Sequence, residues 1–279
     1  MSQAVLYARL VKVEHTLFAL PFAYVGALLA YHEVPDGHAL FWITIAMVGA
    51  RSLAMALNRL IDARIDAANP RTAGRELPSG ALSVAAVLGF CIAALVVYLV
   101  AVWQLNPFVR PLAPIPVAMF VVYPYLKRFT WLCHLWLGAV DGLAPVGAWA
   151  AVRGDLAWQA WALGAAVAAW VAGFDLFYAL FDVDQEQGLH SWVTRFGETG
   201  AFLGARALHL LTVILLVAVG AGLDVGVLYW VGVVCVGGLL AYEHSLIRPG
   251  DLRRLDTAFF TMNGVISLAF FAFVLADVL

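Results

Sequence analysis

Residues 40–66 read LFWITIAMVGARSLAMALNRLIDARID. The stretch is apolar up to Leu57, broken chiefly by Arg51, and then turns polar. Asn58, Asp62 and Asp66 follow at intervals of four, so on a helix they share one face. A membrane helix needs about 20 mainly apolar residues. The segment therefore reads as a span that leaves the bilayer carrying an acidic face.

Outward from it the same pattern repeats. Nine apolar runs can be laid down, at about 14–31, 40–62, 81–102, 107–126, 130–150, 157–181, 201–222, 225–245 and 257–278. What remains holds no separate soluble domain, so residues 1–279 are expected to form one polytopic membrane domain. Composition agrees. Hydrophobic residues are 64% of the 279 and charged residues 12%, against about 45–50% and about 25% in soluble domains. This excludes an ordinary soluble enzyme, a disordered chain and a nucleic-acid binder, and a net charge of -2 gives nucleic acid no basic face. Cys91, Cys133 and Cys235 sit in or beside apolar runs and read as small buried hydrophobes.

Charge sets the orientation. With nine spans, Arg110 and Arg153 fall on one side and Arg51 lies inside a span. Every other Lys and Arg falls on the side of the N-terminus. The positive-inside rule then puts the N-terminus in the cytoplasm and the C-terminus outside.

A second acidic face ends the sixth span. Asp175, Tyr178, Asp182 and Glu186 are spaced three, four and four apart. Both faces are expected at the cytoplasmic membrane surface. Carboxylates about 6 Å apart at an effective dielectric near 20 repel by roughly 3 kcal/mol, and a helix C-terminus disfavours anions further. A cation should compensate. Hard oxygen ligands without His or Cys point to Mg²⁺, which keeps sites open for waters and substrate phosphates. Asp62, Asp66, Asp182 and Glu186 are the candidate metal ligands. The loop after the second span, Asn69-Pro-Arg71-Thr-Ala-Gly-Arg75-Glu-Leu-Pro-Ser-Gly80, has the Pro and Gly content of a shaped turn. Arg64, Arg71 and Arg75, with Lys127 and Arg128 at the end of the fourth span, are candidate phosphate clamps on the same side. Three charges lie deep in spans: Arg51, about 16 Å in from Asp62; Asp175, about 10 Å in; and Asp141, about 18 Å in. Such charges face a cavity or a partner. Arg51 either pairs with Asp141 or Asp175, or receives an acceptor's anionic group.

These features together resemble the UbiA superfamily of intramembrane aromatic prenyltransferases. The likeness covers nearly the whole chain. It rests on the nine spans, the Asn58/Asp62/Asp66 motif, Tyr123 and Lys127 four apart, the Asp175-x-x-Tyr178-Ala-x-x-Asp182 motif, and the Arg75–Gly80 stretch, which is similar to a family loop. The resemblance implies an all-α bundle around a central cavity and Mg²⁺-dependent transfer of a polyprenyl group from its diphosphate to an aromatic acid. It implies that Asp62 and Asp66 bind one Mg²⁺–diphosphate group, and Asp182 and Glu186 the other. Arg71, Arg75 and Lys127 would neutralise the leaving diphosphate, Asn58 would order the first cluster and Tyr123 the Lys127 side. Tyr178 falls among the substrate-binding candidates, Asp175 and the released diphosphate are the candidate proton acceptors, and Arg51 would take the acceptor carboxylate. Arg59 and Glu186 depart from the usual family residues, and Glu186 puts the ligation geometry of the second metal in question. The expected acceptor is 4-hydroxybenzoate, in ubiquinone or menaquinone synthesis at a bacterial inner membrane; the alternative acceptor is a dihydroxynaphthoate. No obligate protein partner is evident. From another class, a secondary transporter also uses intramembrane charges, but its charges belong near the midplane rather than at the cytoplasmic ends.

Overall fold

Asp36 accepts the Ala39 N–H at 2.7 Å and caps the helix that carries the first acidic face. The computed structural model describes residues 3–11, 16–70, 72–180, 189–247 and 261–279. In it this helix, α3, spans Gly37–Ala68, 32 residues. At 1.5 Å per residue that is about 48 Å, against a hydrocarbon core of about 30 Å. The helix is therefore longer than the apolar layer is thick, and its last turns carry Asp62 and Asp66.

Among the described residues every regular element is helical. In chain order they are α1 (Gln3–Val11), α2 (Thr16–Leu29), α3, α4 (Val84–Gln104), a 3-10 turn (Pro107–Leu112), α5 (Pro114–Leu126), α6 (Cys133–Arg153), α7 (Trp158–Ala179), α8 (Trp192–Ala221), α9 (Val227–Leu246) and α10 (Asn263–Val278). Seven of these segments are long and apolar enough to cross a membrane, counting the 3-10 turn with α5. The apolar helices α2 and α10 are shorter, 14 and 16 residues, and stand where the first and ninth spans were expected.

Three details differ from expectation. A short helix, α1, precedes the first run, and its Leu10 is buried with Leu53, Leu82 and Phe120. The fourth span opens as a 3-10 turn because Pro107, Pro111 and Pro114 remove the N–H groups an α-helix needs. The seventh starts early, at a Ser191/Thr194 capping box, and bends at Gly197, whose φ of 69° suits glycine.

Helix α7 is the hub, packed between α6 and α8 with Trp170, Leu176 and Phe177 fully buried. Gly138 and Gly142 of α6 lie against the Ala168 and Gly164 carbonyls of α7, where any side chain would collide with backbone. This small-residue pair thus packs helices within the chain. The rim is the reverse of a soluble protein. Ile92, Leu210 and Val234 are 64%, 62% and 76% exposed on helix faces, which lipid tolerates and water does not. All three cysteines are free; Cys91 and Cys133 are buried and Cys235 is half-buried.

Candidate active site

The last two turns of α3 deliver Asp62 and Asp66 to two different cation pairs. Asp62 is 1% exposed; its Oδ2 lies 2.6 Å from Lys127 Nζ and its Oδ1 3.4 Å from Arg128 Nη2. Arg128 also donates to the Ile61 carbonyl at 3.0 Å, which ties the end of α5 to α3. Asp66 accepts a 2.6 Å hydrogen bond from Arg75 Nη1 at Oδ1. Its Oδ2 is buried without a hydrogen bond, 4.0 Å from Arg59. Arg75 reaches back because the loop after α3 folds tightly. Thr72 and Ala73 donate to the Asn69 carbonyl, Ser79 donates to that of Arg75, and the Thr72 hydroxyl donates to the Asp66 carbonyl at 2.9 Å. Arg59, the departure from the family motif, is itself buried beside Asp66.

Asp66, Arg59, Arg75 and Lys127 of this group border a cavity of about 570 Å³. Asn58, Asp66, Arg75, Tyr123, Lys127, Asp175, Tyr178 and Arg51 all line it, so most of the residues singled out in the sequence converge on one space. Asp62 does not line it, because it is covered by its own cation partners. Arg71, Asp182 and Glu186 lie outside the described residues. Ala179 and Leu189, on either side of that stretch, both line the cavity, and the His190 N–H donates to the Lys127 carbonyl at 2.7 Å. Among the described residues no three His, Cys, Asp or Glu side chains converge as a metal site.

Deeper in, Arg51 Nη1 stands 3.6 Å from Asp141 Oδ1, which selects Asp141 over Asp175 as its partner. Arg51 and Asp141 also border a second, mainly apolar chamber of about 280 Å³ walled by Met47, Tyr98 and Leu105. Asp175 instead meets His134: Nδ1 to Oδ2 is 2.7 Å. The sequence reading passed over His134. It sits in an apolar run at a span edge, and the rule that an intramembrane ionisable residue needs a partner would have picked it out, as it did Arg51 and Asp141.

The UbiA prenyltransferase family matches residues 19–272. The chain belongs to this family. Within it, the chain is similar to the 4-hydroxybenzoate octaprenyltransferase of Vibrio vulnificus (strain CMCP6), 30% identical over 271 residues and 95% of each chain. It is also similar to the enzyme of that name from Vibrio cholerae serotype O1, 34% identical over 241 residues, 85% of this chain and 84% of that one. Among solved structures, a UbiA homolog from Aeropyrum pernix K1 superposes with a TM-score of 0.86 at 31% identity, covering 95% of this chain and 98% of that one. A UbiA homolog from Archaeoglobus fulgidus bound to DMAPP and Mg²⁺ shares the fold, with a TM-score of 0.78 at 20% identity over 98% of each chain. This UbiA-family chain is accordingly an integral membrane prenyltransferase.

Proposed function

We propose that the chain transfers a polyprenyl group from its diphosphate to 4-hydroxybenzoate in quinone biosynthesis, using Mg²⁺. The observation that carries this is a single cavity with carboxylates and cations at one end and the Arg51–Asp141 pair deeper in. The similar Vibrio proteins, named 4-hydroxybenzoate octaprenyltransferases, support this acceptor.

The residues suit the metal. Asp62 and Asp66 are hard oxygen donors, and Asp66 Oδ2 is buried without a hydrogen bond. Asp66, with Asp62 once Lys127 releases it, would hold one Mg²⁺, and Asp182 with Glu186 the other. When bound, the metal stabilises the charge that builds on the departing diphosphate.

The chain's own groups do the rest. Lys127, Arg75 and Arg71 hold the diphosphate oxygens. Asn58 orders the first acidic cluster and Tyr123 the Lys127 side, and Tyr178 lines the same cavity. Val167, Trp170 and Phe174 keep water from the allylic cation formed as the C–O bond breaks. Arg51 receives the acceptor carboxylate, exchanging it for Asp141. An electron-rich ring carbon ortho to the phenol then attacks the cation. The chain forms one domain of nine spans in a bacterial inner membrane, with its N-terminus and the acidic ends in the cytoplasm.

A panel tests the acceptor. Membranes holding the chain, given farnesyl diphosphate and Mg²⁺, should prenylate 4-hydroxybenzoate faster than 1,4-dihydroxy-2-naphthoate or 1,4-dihydroxy-6-naphthoate. A faster naphthoate would replace the acceptor and keep the reaction.

A further inference from the structure

Ring prenylation must end with loss of a ring proton, and the cavity has three described carboxylates on its wall: Asp66, Asp141 and Asp175. Two face fixed cations. Asp66 is 2.6 Å from Arg75, and Asp141 is 3.6 Å from Arg51. A permanent cation beside a carboxylate disfavours its taking a proton. Asp175 faces His134 instead, a partner that, unlike arginine, can give up its charge. Its Oδ2 lies 2.7 Å from His134 Nδ1. Its Oδ1 has no hydrogen-bond partner among the described residues.

An ionised carboxylate has no proton to give, so His134 Nδ1–H is the donor. His134 lines the cavity as Asp175 does, but its Nδ1 is turned to Asp175, its Nε2 is buried without a hydrogen bond, and its side chain is 7% exposed against 14% for Asp175. The spacing between the two is set by the tightest helix contact in the bundle. His134 is in the first turn of α6, Asp175 is near the end of α7, and Gly138 and Gly142 seat α6 directly on α7 backbone. Replacing either glycine would move His134 relative to Asp175.

We infer that His134 is a positioning residue. It holds Asp175 by one oxygen so that the other takes the ring proton in the final step. This rests on the prenyltransferase reading above. The step balances. The donor C–O bond breaks and its electron pair leaves with the diphosphate. A C–C bond forms between the donor carbon and the ring carbon. The ring C–H pair then restores aromaticity, and the proton passes to Asp175 Oδ1. No oxidant or further reactant is needed.

The test uses His134→Phe, which keeps a planar ring and removes both nitrogens, and His134→Gln, which keeps a side-chain N–H. Each is assayed with 4-hydroxybenzoate and with the acceptor deuterated ortho to its hydroxyl. The expected result for His134→Phe is a kcat about 100-fold lower, an unchanged KM for the donor and a primary isotope effect absent from the parent. His134→Gln should recover most of the rate and lose the isotope effect. His134→Leu replaces His134→Phe if the latter does not accumulate folded. A normal kcat in the apolar variants, or a lower kcat without any isotope effect and without rescue by Gln, would overturn the inference. A parent chain that makes no product would instead remove the prenyltransferase reading, and the inference with it.

Discussion

Lys127→Met separates two jobs that one ammonium performs. In the structure, Lys127 Nζ sits 2.6 Å from a carboxylate oxygen of Asp62, which is 1% exposed. Breaking a buried pair by removing one partner costs about 3–5 kcal/mol. Two features reduce that here. The Lys127 side chain is 29% exposed, and Arg128 stays 3.4 Å from the other oxygen of Asp62. We therefore expect a stability loss of about 2 kcal/mol. The catalytic loss should be larger. Removing one preorganised donor from a charge-developing transition state costs about 10²–10³ in kcat, or roughly 2.7–4 kcal/mol. Thermal unfolding in detergent reads the first effect. Single-turnover prenylation at saturating donor reads the second. Lys127→Arg should restore most of the stability and part of the rate. A Met variant with kcat within about threefold of the parent would show that Lys127 only neutralises Asp62 and does not touch the leaving diphosphate.

Other consequences can be checked in the same preparations. Arg51→Leu should raise the KM for the aromatic acid about 10- to 100-fold, the loss of a charged hydrogen bond of about 1.5–3 kcal/mol, and leave the donor KM unchanged; steady-state kinetics with each substrate varied will show it. Gly138→Val places a side chain against the Ala168 carbonyl. It should destabilise the bundle by about 1–3 kcal/mol, seen as a lower unfolding temperature. EDTA should abolish product formation, and excess Mg²⁺ should restore it.

The acidic faces were legible because periodicity and charge are local. Asn58, Asp62 and Asp66 share a face by spacing alone, and their place at the end of an apolar run located the site. What spacing could not give is which partner each charge meets. Arg51 had two candidate carboxylates at different points along the chain, and the α3–α6 approach that settles on Asp141 depends on packing. Asp62 looked like a cavity ligand. Its cover by Lys127 and Arg128 follows from how the α5–α6 connection folds over α3, which no pattern within α3 encodes. His134 was missed for a similar reason. Its meaning lies in Asp175, on the next helix, and in the Gly138 and Gly142 contacts that bring the two helices together. The proline-rich start of the fourth run was read as helix because its apolar composition outweighed three residues that cannot donate to a helical ladder.

The central claim is that the acidic end of α3 serves a metal–diphosphate group in prenyl transfer to an aromatic acid. Its most direct test is product analysis by mass spectrometry on membranes given geranyl or farnesyl diphosphate and 4-hydroxybenzoate, with Mg²⁺, with EDTA, and with Asp62→Ala. The account predicts a singly prenylated acid with Mg²⁺ and none in the other two conditions. Prenylated product that persists in EDTA and in Asp62→Ala would contradict the assigned role of α3. No product from any donor, with folded protein that binds no diphosphate, would contradict the reaction itself.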